Sequence, residues 1–214
     1  MIFELKPKRD TLIENMRKKA MNELKKFWGI RWEKNIPRII VWKTRKDINN
    51  FKQQQTKDWF IGEANGRNVF LLDRKNFDKE SCHKYSNEKY YKLIKHELSH
   101  LFFEILSGGK ETPYWLNEGI TLYSADQINQ FPPINGFSNF LTYHSNSGGD
   151  IYFKESGFAV ELLIKNFGKR KILKLIKSLS TINSEKEFKQ TFKKIYGFNL
   201  NYKEMNKLLK KCRK

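Results

Sequence analysis

The chain has 214 residues, a formal net charge of +19 and 39% hydrophobic residues, enough for one core of ordinary size. Its two cysteines, Cys82 and Cys212, are too few and too far apart in sequence for a disulfide framework. No apolar run approaches the ~20 residues a membrane-spanning helix needs, and Met1 to Lys8 has no continuous apolar stretch after its charges. The expectation is therefore a chain without membrane span or export signal, cytoplasmic by default.

The first element is a helix of about 20 residues from near Lys8, in which Leu12, Ile13, Met16, Ala20, Leu24, Phe27 and Trp28 form one apolar stripe. Pro37 to Trp42 follows as a strand, its Ile39-Ile40-Val41 run suited to a central position. Asp47 is placed as the cap of a short helix reaching Gln55. Trp59 to Ile61 is extended, Gly62 to Gly66 reads as a turn, and Asn68 to Leu72 resumes as strand. Asp73 to Lys89 is polar, a loop or short helix, and Cys82-His83 within it has no partner pair at ligand spacing.

From Glu88 to Leu106 the apolar residues Tyr91, Ile94, Leu98, Leu101, Phe102 and Ile105 recur at helical steps, and Gly108-Gly109 ends the pattern. Inside it lies His96-Glu97-Leu98-Ser99-His100. Residues four apart on a helix point the same way, so both imidazoles can reach one ion while Glu97 sits beside it. Beyond His100, Pro113-Tyr114-Trp115-Leu116-Asn117-Glu118-Gly119-Ile120 puts a carboxylate in a second helix-compatible apolar run. A catalytic zinc takes three protein ligands and keeps one position open, and Glu118 is the obvious third ligand. Two unrelated histidines on a surface helix would be the plain reading of the five residues alone.

His-Glu-x-x-His followed by Trp-Leu-Asn-Glu-Gly resembles the gluzincin metallopeptidases, and by size the small single-domain minigluzincins. The resemblance implies Zn2+ held by His96, His100 and Glu118, with Glu97 as general base, and gives Tyr123 a supporting role. It implies an α+β, thermolysin-like (zincin) catalytic domain. Residues 1–109 would form an N-terminal lobe with a small mixed sheet and the zinc helix, and residues 110–214 a mostly helical C-terminal lobe. In that family a leading helix sometimes serves as a detachable pro-segment. The strand upstream of the zinc helix pairs with the substrate backbone there, a role that falls to Asn68–Leu72. The Gly-x-Met-Glu-Asn signature of the aminopeptidases has no counterpart at Gly62-Glu63-Ala64-Asn65-Gly66, so an endopeptidase acting on peptides or unfolded protein, or a peptidase of another preference, is expected rather than an aminopeptidase.

Gln127 to Asp150, with Pro132, Pro133 and several glycines, reads as a long irregular connection and one wall of the cleft; His144 within it could reach the site as an oxyanion donor. Ile151 to Leu163 is helix-like and ended by Gly168. It resembles the family segment whose tyrosine donates to the oxygen that gains charge during attack, which makes Tyr152 the catalytic candidate, core packing being the other reading. The remaining helices carry Ile172, Leu175, Ile176 and Leu179 on one face, then two capping signals, Ser184 with Glu187 and Asn201 with Glu204. From Lys165 to Lys214 there are 16 Lys or Arg against 3 Glu. An acidic partner or nucleic acid could use that surface, although sparse arginine favours a solvated lysine face. A catalytically silent zinc-binding scaffold and a basic nucleic-acid-associated protein remain the alternatives to a peptidase.

Overall fold

Asp10 starts the first helix, α1 (Thr11–Trp28): its side chain accepts the Ile13 N–H, and Gly29, left-handed at φ 67°, closes it. Every third or fourth residue, among them Ile13, Met16, Ala20, Leu24 and Trp28, is buried. The computed structural model describes residues 4–144 and 149–212. Strand β1 (Arg38–Trp42) follows, then helix α2 (Arg45–Lys52). Its cap is Thr44, which makes a complete capping box with Asp47, so Asp47 is the box's third residue and not the cap.

Strands β2 (Gly62–Asn65) and β3 (Asn68–Leu72) form a hairpin through Gly66-Arg67, with Gly66 at φ 61°. A two-residue loop led by a left-handed glycine matches the right-handed twist of the strands it joins. Sheet order is β1-β3-β2, with β1 parallel and β2 antiparallel to β3. Two expectations are corrected. Gly62–Asn65 is strand, not turn, and β3 lies between two partners, so it has no edge to offer a substrate; the edges are β1 and β2, and β2 is the one against α4.

A single turn, α3 (Phe77–Glu80), leads to the long helix α4 (Asn87–Ser107), capped by Ser86 and closed by Gly108 at φ 70°. Helix α5 (Tyr114–Ser124) is anchored by Trp115, which packs edge-on against Phe140 at 5.1 Å and Phe188 at 6.4 Å. Ser99 and Ser124 hydroxyls, 2.7 Å apart and buried, tie α4 to α5. Helix α6 (Gly149–Phe167) lies against α5. At their closest approach Gly119 is obligatory: a Cβ there would collide with the Ser156 carbonyl and stand 2.7 Å from Val160 Cγ2. Gly119→Ala is expected to destabilise the fold by about 3 kcal/mol, read as a lowered denaturant midpoint at unchanged m-value.

Helices α7 (Lys169–Ser178), α8 (Glu185–Tyr196) and α9 (Tyr202–Cys212) complete the chain. Ile172, Leu175, Ile176, Phe188, Phe192 and Met205 point inward. Ser184 caps α8 as expected, but Glu187 takes the Asn183 N–H, one residue before the box position. In the connection before α6, Glu155 accepts the N–H groups of Ser138 and Asn139 at 2.8 and 2.7 Å while Phe137 and Phe140 seal the core. The irregular connection expected over Gln127–Asp150 is found up to His144 around a 3-10 turn at Ile128–Gln130, Gly149 and Asp150 belong instead to α6, and Ser145–Gly148 lie outside the described residues. The chain is mixed α and β, mostly helical, and no helix among the described residues is long and apolar enough to cross a membrane.

Candidate metal centre

Helix α4 presents His96 and His100 one turn apart, and α5, crossing it, presents Glu118. One ligand atom from each of the three lies within 4.8 Å of the others. Their side chains are 15%, 19% and 15% exposed, enclosed yet reachable.

The tautomers follow from the neighbours. Asn117 turns its amide nitrogen to the Glu111 carbonyl at 3.4 Å, which leaves its oxygen to accept from His100 Nδ1 at 2.9 Å. Gln127 Oε1 stands 2.7 Å from His96 Nδ1. With both Nδ1 atoms donating, each Nε2 presents a lone pair. These two Nε2 atoms face each other at 3.1 Å, and a Glu118 oxygen is 3.8 Å from each. Two lone pairs and a carboxylate gathered this way repel unless a cation, or a proton on one of the rings, sits among them, and the donor set of two imidazoles and a carboxylate fits a metal ion.

The electrostatics differ between the two rings. Burial and the adjacent His100 hold His96 down to about 3, which keeps its ring neutral as a ligand must be. At His100 burial opposes the charged form, but the carboxylates of Glu118 and Glu97 outweigh it and raise the pKa. Burial raises Glu118 as well, with His100 opposing. Burial also pushes the Glu97 carboxyl up to about 7; His100 works against that rise, and the Glu118 and Glu63 carboxylates add to it. A carboxylate near neutral pKa is suited to take and return a proton.

The three residues open onto a cleft of about 420 Å3 lined by β2, the segment Trp59–Ile61, α4, Tyr114 and Phe153. The Ile61 carbonyl accepts the Leu72 N–H, so in the alternation of an antiparallel pair Ile61, Glu63 and Asn65 bond to β3. Main-chain groups of Gly62 and Ala64 then face away from the sheet, and the Ala64 N–H reaches the Glu97 carboxylate. Gly62 permits this approach, since a Cβ there would stand 3.2 Å from Glu97 Oε1.

The other sequence candidates fall elsewhere. Tyr152 is fully buried, its hydroxyl beside Thr142 and Ser156 and within electrostatic reach of Glu118, but it does not line the cleft; Tyr114, four residues before Glu118 on the same helix face, does. His144 is exposed and stacks edge-on with Tyr143, outside the cleft lining. Tyr123 packs against Phe27 of α1 at 6.0 Å, a supporting contact. The sequence reading missed Gln127 and Asn117 as partners of the histidines. Asn117 was readable from its place beside Glu118; Gln127 sits in a connection with no periodic signal. No family model, curated protein or solved structure matches this chain.

Proposed function

We propose that the chain is a zinc-dependent endopeptidase of gluzincin type that hydrolyses peptide bonds in extended or unfolded segments, on a thermolysin-like domain with the cleft between its lobes. The observation that carries this reading is the convergence of two imidazole lone pairs and Glu118, with Glu97 at about 7 beside them, on a cleft that has a free strand edge. His96, His100 and Glu118 would hold the ion. When bound, zinc supplies a Lewis acid for the scissile carbonyl and acidifies a water molecule.

The chain's own residues do the rest. Glu97 takes a proton from the attacking water and passes it to the nitrogen of the leaving amine, its carboxylate oriented by the Ala64 N–H. The outward main-chain groups of Gly62 and the Ala64 carbonyl pair with an extended substrate, which demands no particular side chain. Of the two tyrosines, Tyr114 is the one placed at the cleft to donate to the carbonyl oxygen as charge develops. Endopeptidase action follows from the absent Gly-x-Met-Glu-Asn signature; of the glutamate on this strand, Glu63, one oxygen is engaged by Lys52 at 2.6 Å and the other is buried without a hydrogen-bond partner.

The test is cleavage of unfolded casein by zinc-loaded protein. Cleavage abolished by a chelator and restored by zinc supports the reading, and zinc binding without cleavage of any unfolded protein replaces it with the silent-scaffold alternative. The Ala64 N–H has a separate expectation. Ala64→Pro removes the N–H that orients Glu97 and that the ladder does not use, on an edge where proline is tolerated. It should lower kcat/KM by about tenfold or more, the order of one lost backbone hydrogen bond, with zinc affinity unchanged.

A further inference from the structure

Helix α4 buries mostly apolar residues, Ile94, Leu98, Leu101, Phe102 and Phe103 among them, and beside Glu97 and two serines it also buries a lysine, Lys95. The Lys95 side chain is 6% exposed, and its ammonium lies 2.7 Å from Glu23 of α1 and 2.6 Å from Asp126. Burying an ammonium is costly, and an apolar residue would fill the same place more cheaply. A buried lysine at that position therefore points to a task beyond packing.

Its neighbours show what the task is. Asp126 is one of the few non-glycine residues in the left-handed region, at φ 57°. That single left-handed residue lets the chain leaving α5 straddle α4. Asp126 turns to the rear and meets Lys95, and the next residue, Gln127, turns to the front and meets His96 Nδ1 at 2.7 Å. The Gln127 N–H is also tied back to the Leu122 carbonyl at 2.9 Å. Behind the pair a cavity of about 300 Å3, lined in part by Glu23, Lys95, Asp126 and Glu161, gives Lys95 room to move if the contact is lost. A continuous set of polar contacts thus runs from α1 to a metal-ligating ring, Glu23 to Lys95 to Asp126, and through the peptide to Gln127 and His96.

We propose that Lys95 and Asp126 are positioning residues for the metal centre. Their contact holds the turn that seats Gln127 on His96, and the Glu23 arm couples the docking of α1 to metal affinity. This rests on the reading of His96 as a metal ligand. Because binding couplings are reciprocal, the metal in turn strengthens the docking of α1. Asp126 is 68% exposed, so added salt weakens its half of the link.

The experiment is zinc affinity, by competition with a chromophoric chelator, for the full chain and five variants. Asparagine accepts the left-handed backbone as readily as aspartate, so Asp126→Asn removes the charge and keeps the turn. Gln127→Leu should weaken zinc binding 10- to 100-fold, as loss of an outer partner of a ligating histidine does. Asp126→Asn and Lys95→Met should each weaken it about tenfold, and the double variant no further, since both act through one contact. Ile172→Val, a core change away from the link, should lower stability at unaltered zinc affinity. Hydrogen exchange completes the test: zinc should slow exchange in α1 around Glu23 in wild type and fail to do so in Lys95→Met. If Asp126→Asn and Lys95→Met bind zinc within twofold of wild type while Gln127→Leu is weakened, the link is overturned and the metal site stands. Absence of zinc binding in folded wild type overturns the link together with the reading beneath it.

Discussion

Glu97→Gln is expected to leave a folded protein that binds zinc and no longer hydrolyses peptide bonds. The substitution is nearly isosteric at a side chain that is 6% exposed, so packing is kept. Glu97 is not one of the three clustered donors, so the ion is kept as well. What is lost is the group whose pKa stands at about 7, positioned by the Ala64 N–H on the edge strand, and an amide cannot take a proton from water. General acid–base catalysis contributes on the order of 10²- to 10⁴-fold. Because Glu97 would serve both the attacking water and the leaving amine, kcat should fall toward the upper end of that range, on the order of 10⁴, with KM little changed. Steady-state cleavage of a quenched fluorescent peptide, with zinc content measured on the same preparation, checks both halves. Undiminished turnover would remove Glu97 from the role of base.

Glu118→Ala is expected to abolish the stabilisation that zinc confers while leaving the metal-free fold near its original stability. In the metal-free chain the Glu118 carboxyl is already disfavoured by burial, so its removal relieves a cost as it opens a small gap. With zinc at about 1,000 times its dissociation constant, wild type should gain about 4 kcal/mol, because only the folded state gathers the ligands. The variant keeps two imidazoles and loses the only clustered carboxylate, and at the same zinc concentration it should gain close to nothing. Thermal unfolding with and without zinc makes the comparison within each protein, so a general loss of stability cannot imitate the result.

Much of the site was readable from the sequence because helices declare themselves locally. The α4 pattern holds from its Ser86 cap to Gly108, and the two histidines, four apart, could only share a face. Glu118 was readable for the same reason, sitting in a run whose Trp115, Leu116 and Ile120 are buried as its periodicity requires. The sheet was less legible. Gly62-Glu63-Ala64-Asn65 has almost no strand propensity of its own, and it is strand because β3 supplies a partner and α4 covers it. Sequence could place β3 beside α4, but whether β3 was edge or centre depended on a hairpin partner that looked like a turn. Tyr152 shows a different limit. A helix was expected there and α6 is there, but which of its residues face a cleft built by other elements is set by packing against α5, where Gly119 brings the helices unusually close. Thr44, capping α2 in place of Asp47, is a shift of three residues within one capping box, since either residue alone can look like the cap.

The basic C-terminal helices carry the smaller part of this account. Their apolar faces are spent on the core, with Phe188, Phe192 and Met205 enclosed, and several lysines are engaged locally, Lys165 with Glu161 at 2.9 Å and Lys189 with Glu185 at 2.6 Å. Such one-turn pairs are typical of solvated helix surfaces and are worth only tenths of a kcal/mol each.

The most direct measurement is the zinc content, by elemental analysis, of purified wild type beside His96→Ala and Glu118→Ala, each confirmed folded by circular dichroism. About one zinc per chain in wild type, falling to background in both variants, is the result expected if His96, His100 and Glu118 form the metal centre. Folded wild type without zinc after dialysis against the metal, or zinc retained in full by both variants, would contradict it.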